Sequence, residues 1–254
     1  MFGFGKSNKS DNNVAGELTQ TLIKLLDCPC EVFREGTEPQ KITNAYEDAF
    51  ARREFGRYTP MIIVIDYVLA ENFELYEKNA DDFKAEREKL LSTPQINAQK
   101  WFKDKLTEWK NEMGGAWNET VGEVADGDVM KTFSGFVNYS TQKSDECILA
   151  KIPVTNPWEV FAWLPFGGWN ECPNPEEIMW ISKYWYERYG AVPAVMTHDV
   201  LEFSARPVKD RDAALGAALE QFAFCSDIVF QGVDTIGRLA DSLMKSSVWY
   251  FWWD

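Results

Sequence analysis

Residues 157–173 read PWEVFAWLPFGGWNECP. Three tryptophans, a Gly-Gly pair and two isolated polar residues, Glu159 and Asn170, share seventeen positions. A solvated loop is rarely so apolar, and a plain core strand rarely holds adjacent glycines. From Trp158 to Leu164 the side chains alternate. Trp158, Val160, Ala162 and Leu164 would face one way, and Glu159, Phe161 and Trp163 the other. The alternation predicts a strand that Pro165 ends. Phe166-Gly167-Gly168-Trp169-Asn170 predicts a turn that folds Trp169 back onto Phe166.

The aromatic content has a counterpart at the end of the sequence, Val248-Trp249-Tyr250-Phe251-Trp252-Trp253-Asp254. Bulky rings on both faces of a strand invite aggregation at a wet edge. This strand is therefore expected between other elements, and Asp254, if buried, would need a cationic or hydrogen-bonding partner, with Arg188, Arg206 and Arg238 as candidates. Between the two aromatic stretches, Asn174, Pro175, Glu176 and Glu177 open a helix whose stripe is Ile178, Ile181, Trp185 and Tyr189, and Gly190 closes it. Strands are predicted at 192–197 and 200–205, with His198-Asp199 as the turn between them. Asp210 starts a helix to about residue 224, a short strand is expected at 228–230, and Asp234 is expected to cap a last helix.

Upstream, residues 1–13 suit a flexible leader. Helices are expected near 16–26, 40–55, 68–77, 80–91 and 95–113, and a short strand at 31–34. Pro60-Met61-Ile62-Ile63-Val64-Ile65-Asp66 reads as a strand covered on both faces, with Asp66 capping the next helix. Residues 114–146 carry five glycines and many small polar residues, which suits a connector or loose hairpin. The main boundary is placed there. It separates a helix-rich α/β region (14–146) from a C-terminal domain (147–254). The joint from Gly56 and Pro60 to Asp66 has a faint echo in Gly190, Pro193 and Asp199. The fold class expected is α/β or α+β, a mixed β-sheet flanked by helices with an N-terminal helix-rich region.

The chain has 254 residues and a net charge of −14, from 26 basic and 40 acidic side chains. A field of that sign repels phosphate backbones, so no nucleic-acid partner is expected and a basic protein partner is favoured. No apolar run reaches the roughly 18 residues that span a bilayer. The start lacks a secretory signal pattern, and five cysteines suit a reducing compartment. A cytoplasmic protein with no membrane partner is expected.

At 148–254 the chain resembles an uncharacterised, mainly bacterial family, the domain of unknown function 4253. The resemblance rests on Pro157-Trp158-Glu159, Phe166 through Pro173, Trp185 with Glu187 through Ala191, Ala223 through Val229, Leu239-Ala240 and Trp249 through Asp254. Together they mark two fifths of the chain. The resemblance implies a domain boundary and little chemistry.

Candidate chemistry centres on polar residues set among apolar ones. A carboxylate held in such a setting can act as an acid or base. The candidate pocket is Trp158, Glu159, Gly167, Gly168, Trp169, Asn170 and Asp227. His198 is the only histidine, and no serine lies in a Gly-x-Ser-x-Gly elbow. Cys28-Pro29-Cys30 is too short for zinc, and the Gly-Gly pair lacks the remainder of a phosphate loop. No cofactor or metal is expected. Two functions fit: a non-enzymatic binding protein, for instance one that neutralises a toxin as immunity proteins do, or a hydrolase using carboxylates near Glu159, Asn170 and Asp227.

Overall fold

The computed structural model describes residues 11–254. Residues 1–10 of the expected leader lie outside the described residues, and residues 11–13 belong to the first helix, Asp11–Leu26. The fold is α+β, with helices flanking one mixed sheet of six strands. These are β1 (Cys30–Phe33), β2 (Thr59–Val64), β3 (Cys147–Ile152), β4 (Val192–Met196), β5 (Val200–Ser204) and β6 (Val248–Trp252), in spatial order β1-β3-β2-β4-β5-β6. The β2–β4 pair is parallel and the other pairs are antiparallel.

β2 shows why this sheet needs two cover layers. All six of its residues are buried. Met61 and Ile63 enter the larger core under helices 11–26, 80–91, 98–113 and 175–189. Ile62 and Val64 enter a smaller core on the opposite face, with Ile42, Tyr46 and Ala49 of helix Pro39–Ala51. Period-two alternation therefore divides one strand between two cores. Full burial of each aliphatic side chain contributes about 1.5–3 kcal/mol as an upper bound.

The segment 114–146 helps build the second layer. Its Phe133 and Phe136 are buried in the smaller core. The carboxylate of Glu202, on β5, accepts from the Ser134 and Gly135 backbone N–H groups at 2.9–3.2 Å and from the Ser134 hydroxyl. The sequence division at 146/147 falls immediately before β3. That strand pairs with β1 on one side and β2 on the other, so one sheet spans both sides of the division.

Helix Pro175–Tyr189 has the expected punctuation. Asn174 and Glu177 form a capping box, and Gly190 is left-handed at φ 68°. The echo between Gly56–Asp66 and Gly190–Asp199 has a spatial counterpart. Ile62 pairs with Val195 and Ile63 with Met196. Continuing that register by three residues brings Asp66 level with Asp199.

Several expectations are corrected. Residues 157–163 form a 3₁₀ turn and a short helix, Val160–Trp163, instead of a strand. Pro157 presets the first helical φ, and Val160, Phe161 and Ala162 are buried consecutively, which a half-buried strand would not allow. Residues 228–233 form a π-helix, closed by the Asp234 N–H donating to the Val229 carbonyl at 2.9 Å. Helix Ile236–Lys245 is capped by Thr235, whose hydroxyl accepts from the Arg238 N–H, while Asp234 takes φ 70°.

β6 is the last strand of the sheet, paired on one side with β5. Chain cover replaces a second strand there: the Met130 carbonyl accepts from the Ser247 and Val248 N–H groups, and the Cys225 thiol donates to the Trp252 carbonyl. Asp254 is exposed, and its backbone is held by Asn170 and Asp227 instead of by an arginine. Arg238 pairs with Asp234 at 2.6 Å.

Candidate functional site

The turn after Pro165 is dictated by its glycines. Gly167 has φ 107°, and a Cβ there would stand 2.1 Å from the Pro173 carbonyl oxygen. Gly168 has φ 87°, and its N–H donates to that same carbonyl at 3.0 Å. Only glycine fits that pair without strain. The turn places Trp169 edge-on against Phe166, ring centres 4.6 Å apart, as the sequence predicts. Asn170 adopts φ 44° and donates from Nδ2 to the Asp254 carbonyl at 2.7 Å. The Asp254 N–H in turn donates to Asp227 Oδ2 at 3.2 Å.

These contacts form one wall of a cleft of about 630 Å³. Gly168, Asn170 and Asp227 all line it. The facing wall is helix Ala98–Met113, which presents Trp101, Lys105, Glu108, Trp109 and Glu112 on one stripe. Buried Cys172 and Phe224 contribute to the lining, and exposed Phe230 projects from the π-helix.

Among the described residues that line the cleft, five carboxylates, Glu108, Glu112, Glu171, Glu177 and Asp227, face a single cation, Lys105. Lys105 approaches Glu108 at 3.4 Å on the exposed rim. Glu177 ties the walls together, accepting from the Trp101 indole N–H at 2.7 Å and from the Asn174 N–H at 2.9 Å. Trp109 lies 5.5 Å from Phe230 and 5.4 Å from Phe222, centre to centre.

Three of the sequence-derived candidates are thus brought together, and the other four do not line the cleft. Trp158 packs on Tyr186 with Lys183 above its ring. Glu159 accepts from Asn156 Nδ2 at 2.8 Å, three residues away. Gly167 shapes the turn and Trp169 packs on Phe166. The facing wall is absent from the sequence-derived set because its charges read as a solvated face. The spacing of Trp101, Lys105, Glu108, Trp109 and Glu112 at i, i+4, i+7, i+8 and i+11 held the signal.

A second polar cluster stands where the two parallel strands end. His198 Nδ1 lies 2.5 Å from Asp66 Oδ2, and Nε2 lies 3.5 Å from Asp199 Oδ2. Asp66 also caps helix Tyr67–Asn72, accepting from the Leu69 N–H at 2.8 Å. Asp199 Oδ2 accepts from the Trp252 indole N–H at 2.9 Å. The hydrogen bond to Asp66 and the two negative charges outweigh burial and raise the His198 pKa. Burial pushes Asp66 up, but His198 and the Leu69 N–H more than offset this and hold it below its ordinary value. With both nitrogens facing carboxylates, the protonated form of this histidine is favoured, and the ring clamps the two strand ends together.

One buried carboxylate, Glu202, and one half-buried, Glu220, went unnoticed in the sequence. Burial pushes Glu202 up to about 7 against the hydrogen bonds from Ser134 and Gly135. Glu220 accepts from the Tyr184 hydroxyl at 2.7 Å and the Trp185 indole at 3.1 Å. Among the described residues, no group of three or more His, Cys, Asp or Glu side chains is placed to hold a metal ion. None of the described helices is long and apolar enough to cross a membrane.

The turn, the cleft wall from Ala223 to Phe230 and the terminal strand all fall within residues 148–254. Residues 148–254 match the family described as Domain of unknown function (DUF4253). No curated protein and no solved structure matches the chain significantly. The matched segment supplies Asn170, Glu171, Glu177, Asp227 and Phe230, while Trp101, Glu108, Trp109 and Glu112 lie before it. The cleft is therefore built jointly by the matched segment and the preceding region.

Proposed function

We propose that this protein is a binding protein whose acidic, aromatic cleft receives a cationic segment of a basic protein partner. The observation that carries the reading is the lining of five carboxylates against one lysine beside the rings of Trp101, Trp109 and Phe230. Carboxylates make charge-assisted hydrogen bonds to ammonium and guanidinium groups, and aromatic faces attract the same cations. The net charge of −14 adds long-range steering toward a basic surface. A basic toxin held by an immunity-type protein is one partner of this chemistry. The hydrolase reading draws on Asn170 and Asp227, but Glu159 does not line their cleft and both residues already hold the Asp254 main chain.

Titration calorimetry with decalysine tests the reading. Glu108→Gln and Glu112→Gln together should weaken binding by at least about threefold, more at low salt. Asp48→Asn with Glu54→Gln, outside the cleft, should leave it unchanged. Equal weakening by both pairs would assign the binding to the overall field and reject the cleft.

A further inference from the structure

We propose that Cys28 and Cys30 form a site of reversible oxidation, in which a hydroperoxide converts the dithiol to a disulfide. The two cysteines flank Pro29 where the chain leaves helix Asp11–Leu26 for β1. β1 is the terminal strand of the sheet, so the pair stands at the sheet margin. Both residues are half-buried against the rim of the larger core, whereas Cys147, Cys172 and Cys225 are buried. Neither lines the acidic cleft, so the two readings stand or fall separately.

The backbone presents the two side chains together. The Lys151 N–H donates to the Pro29 carbonyl at 2.9 Å, which carries the β1–β3 ladder back to Pro29. Residues two apart on an extended chain share a face and stand about 6.6 Å apart at Cα, within the roughly 4.4–6.8 Å that a disulfide spans. The two thiols hydrogen-bond to each other, and Cys30 Sγ donates to the Cys28 carbonyl at 3.4 Å. With the Cys30 proton on that carbonyl, the bond between the thiols runs from the Cys28 S–H to Cys30 Sγ. That bond holds Cys30 below the ordinary thiol value against burial, and it raises Cys28, with burial adding to the rise. Arg87, on helix Ala80–Leu91, favours the thiolate at Cys28 more strongly than Asp27 opposes it. Burial pushes the other three thiols up. The thiolate is the reactive form, so reactivity is concentrated at Cys30 with Cys28 beside it as the resolving thiol.

The Cys30 thiolate attacks one oxygen of the hydroperoxide. An S–O bond forms as the O–O bond breaks, and the departing oxygen leaves as an alcohol or water with the proton that Cys30 released. Cys30 is oxidised by two electrons to a sulfenic acid. The Cys28 sulfur then attacks the Cys30 sulfur. An S–S bond forms, the S–O bond breaks, and hydroxide leaves as water with the Cys28 proton. Two thiols and one hydroperoxide thus give one disulfide, one alcohol and one water. A dithiol reductant restores both thiols by exchange.

The test treats the full-length protein with one equivalent of hydrogen peroxide, alkylates the remaining thiols and weighs the tryptic peptides. Peptide 25–34 holds both cysteines. It should be unalkylated and lighter by two hydrogens, and it should take two alkyl groups when dithiothreitol is added first. Cys28→Ser should stop at the Cys30 sulfenic acid, trapped as a dimedone adduct. Cys30→Ser should react at least about tenfold more slowly than the wild-type protein. The wild-type peptide map stands even if a variant misfolds. Peptide 25–34 recovered with two alkyl groups after peroxide alone, oxidation of Cys147, Cys172 or Cys225 ahead of it, or an undiminished rate in folded Cys30→Ser would overturn the proposal.

Discussion

At the residue scale, the clearest expectations concern pH. His198 is the only histidine, so its ring protons titrate alone in an NMR spectrum. Their midpoint should lie above the ordinary 6.5, because the Asp66 carboxylate holds the proton. A group whose folded pKa is raised stabilises the fold fully below its unfolded pKa and loses that contribution as pH rises through the folded pKa. His198→Ala should therefore flatten the stability profile from about pH 6.5 upward, measured by urea midpoints. A midpoint at or below 6.5 would dissolve the clamp. Glu202 has the same sign for a different cause. Burial raises it from 4.5 to about 7. The folded state thus keeps a proton that the unfolded chain releases, and stability should fall between about pH 4.5 and 7. Glu202→Gln should remove much of that slope. An unchanged slope would mean that the carboxylate titrates as though solvated.

Elements set the scale at which the turn glycines and β6 act. Gly167→Ala drives a Cβ to 2.1 Å from the Pro173 carbonyl at a left-handed φ, and should cost on the order of 2–4 kcal/mol. Gly115→Ala meets no atom within 4 Å and should be neutral or slightly stabilising, the two glycine variants being compared by thermal melts. Removing Trp249 to Asp254 strips three buried rings, Trp249, Phe251 and Trp253, from the larger core and should abolish soluble expression. A soluble, folded truncation would show that β6 is dispensable.

What the sequence disclosed follows the same scale. β2 was legible because a continuous β-branched run has few other uses, and helix Pro175–Tyr189 because its caps were complete. Residues 157–164 were misread because alternation loses meaning where both sides of a segment are buried. The π-helix was misread because Ile228-Val229-Phe230 has strand composition, and packing overrode it. The cleft was half legible. Asn170 and Asp227 stood out as polar residues among apolar ones. Trp101, Glu108, Trp109 and Glu112 were hidden, since a wall that faces water across a cleft resembles one that faces bulk water.

For the whole molecule, the decisive fact is that β3 lies between β1 and β2. A fragment of residues 147–254 keeps β3 but loses both of its neighbours, and β4 loses its parallel partner β2. The cover over Val195 and Val248 by Phe133 and Phe136 also goes. The fragment should be aggregated or poorly folded, with no dispersed NMR spectrum, although it contains the whole matched family span. A cooperative melt from that fragment would show that the C-terminal half folds alone.

The place of β3 also bears on synthesis. β2 is buried on both faces in the finished protein, yet its hydrogen-bonding neighbours β3 and β4 emerge from the ribosome only after residues 147 and 192. From the completion of β2 at residue 64 until β3 begins at residue 147, Thr59–Val64 is an apolar strand with neither edge paired. A nascent chain stalled near residue 140 should therefore be a client for ribosome-associated chaperones, and release of that grip should track the arrival of β3.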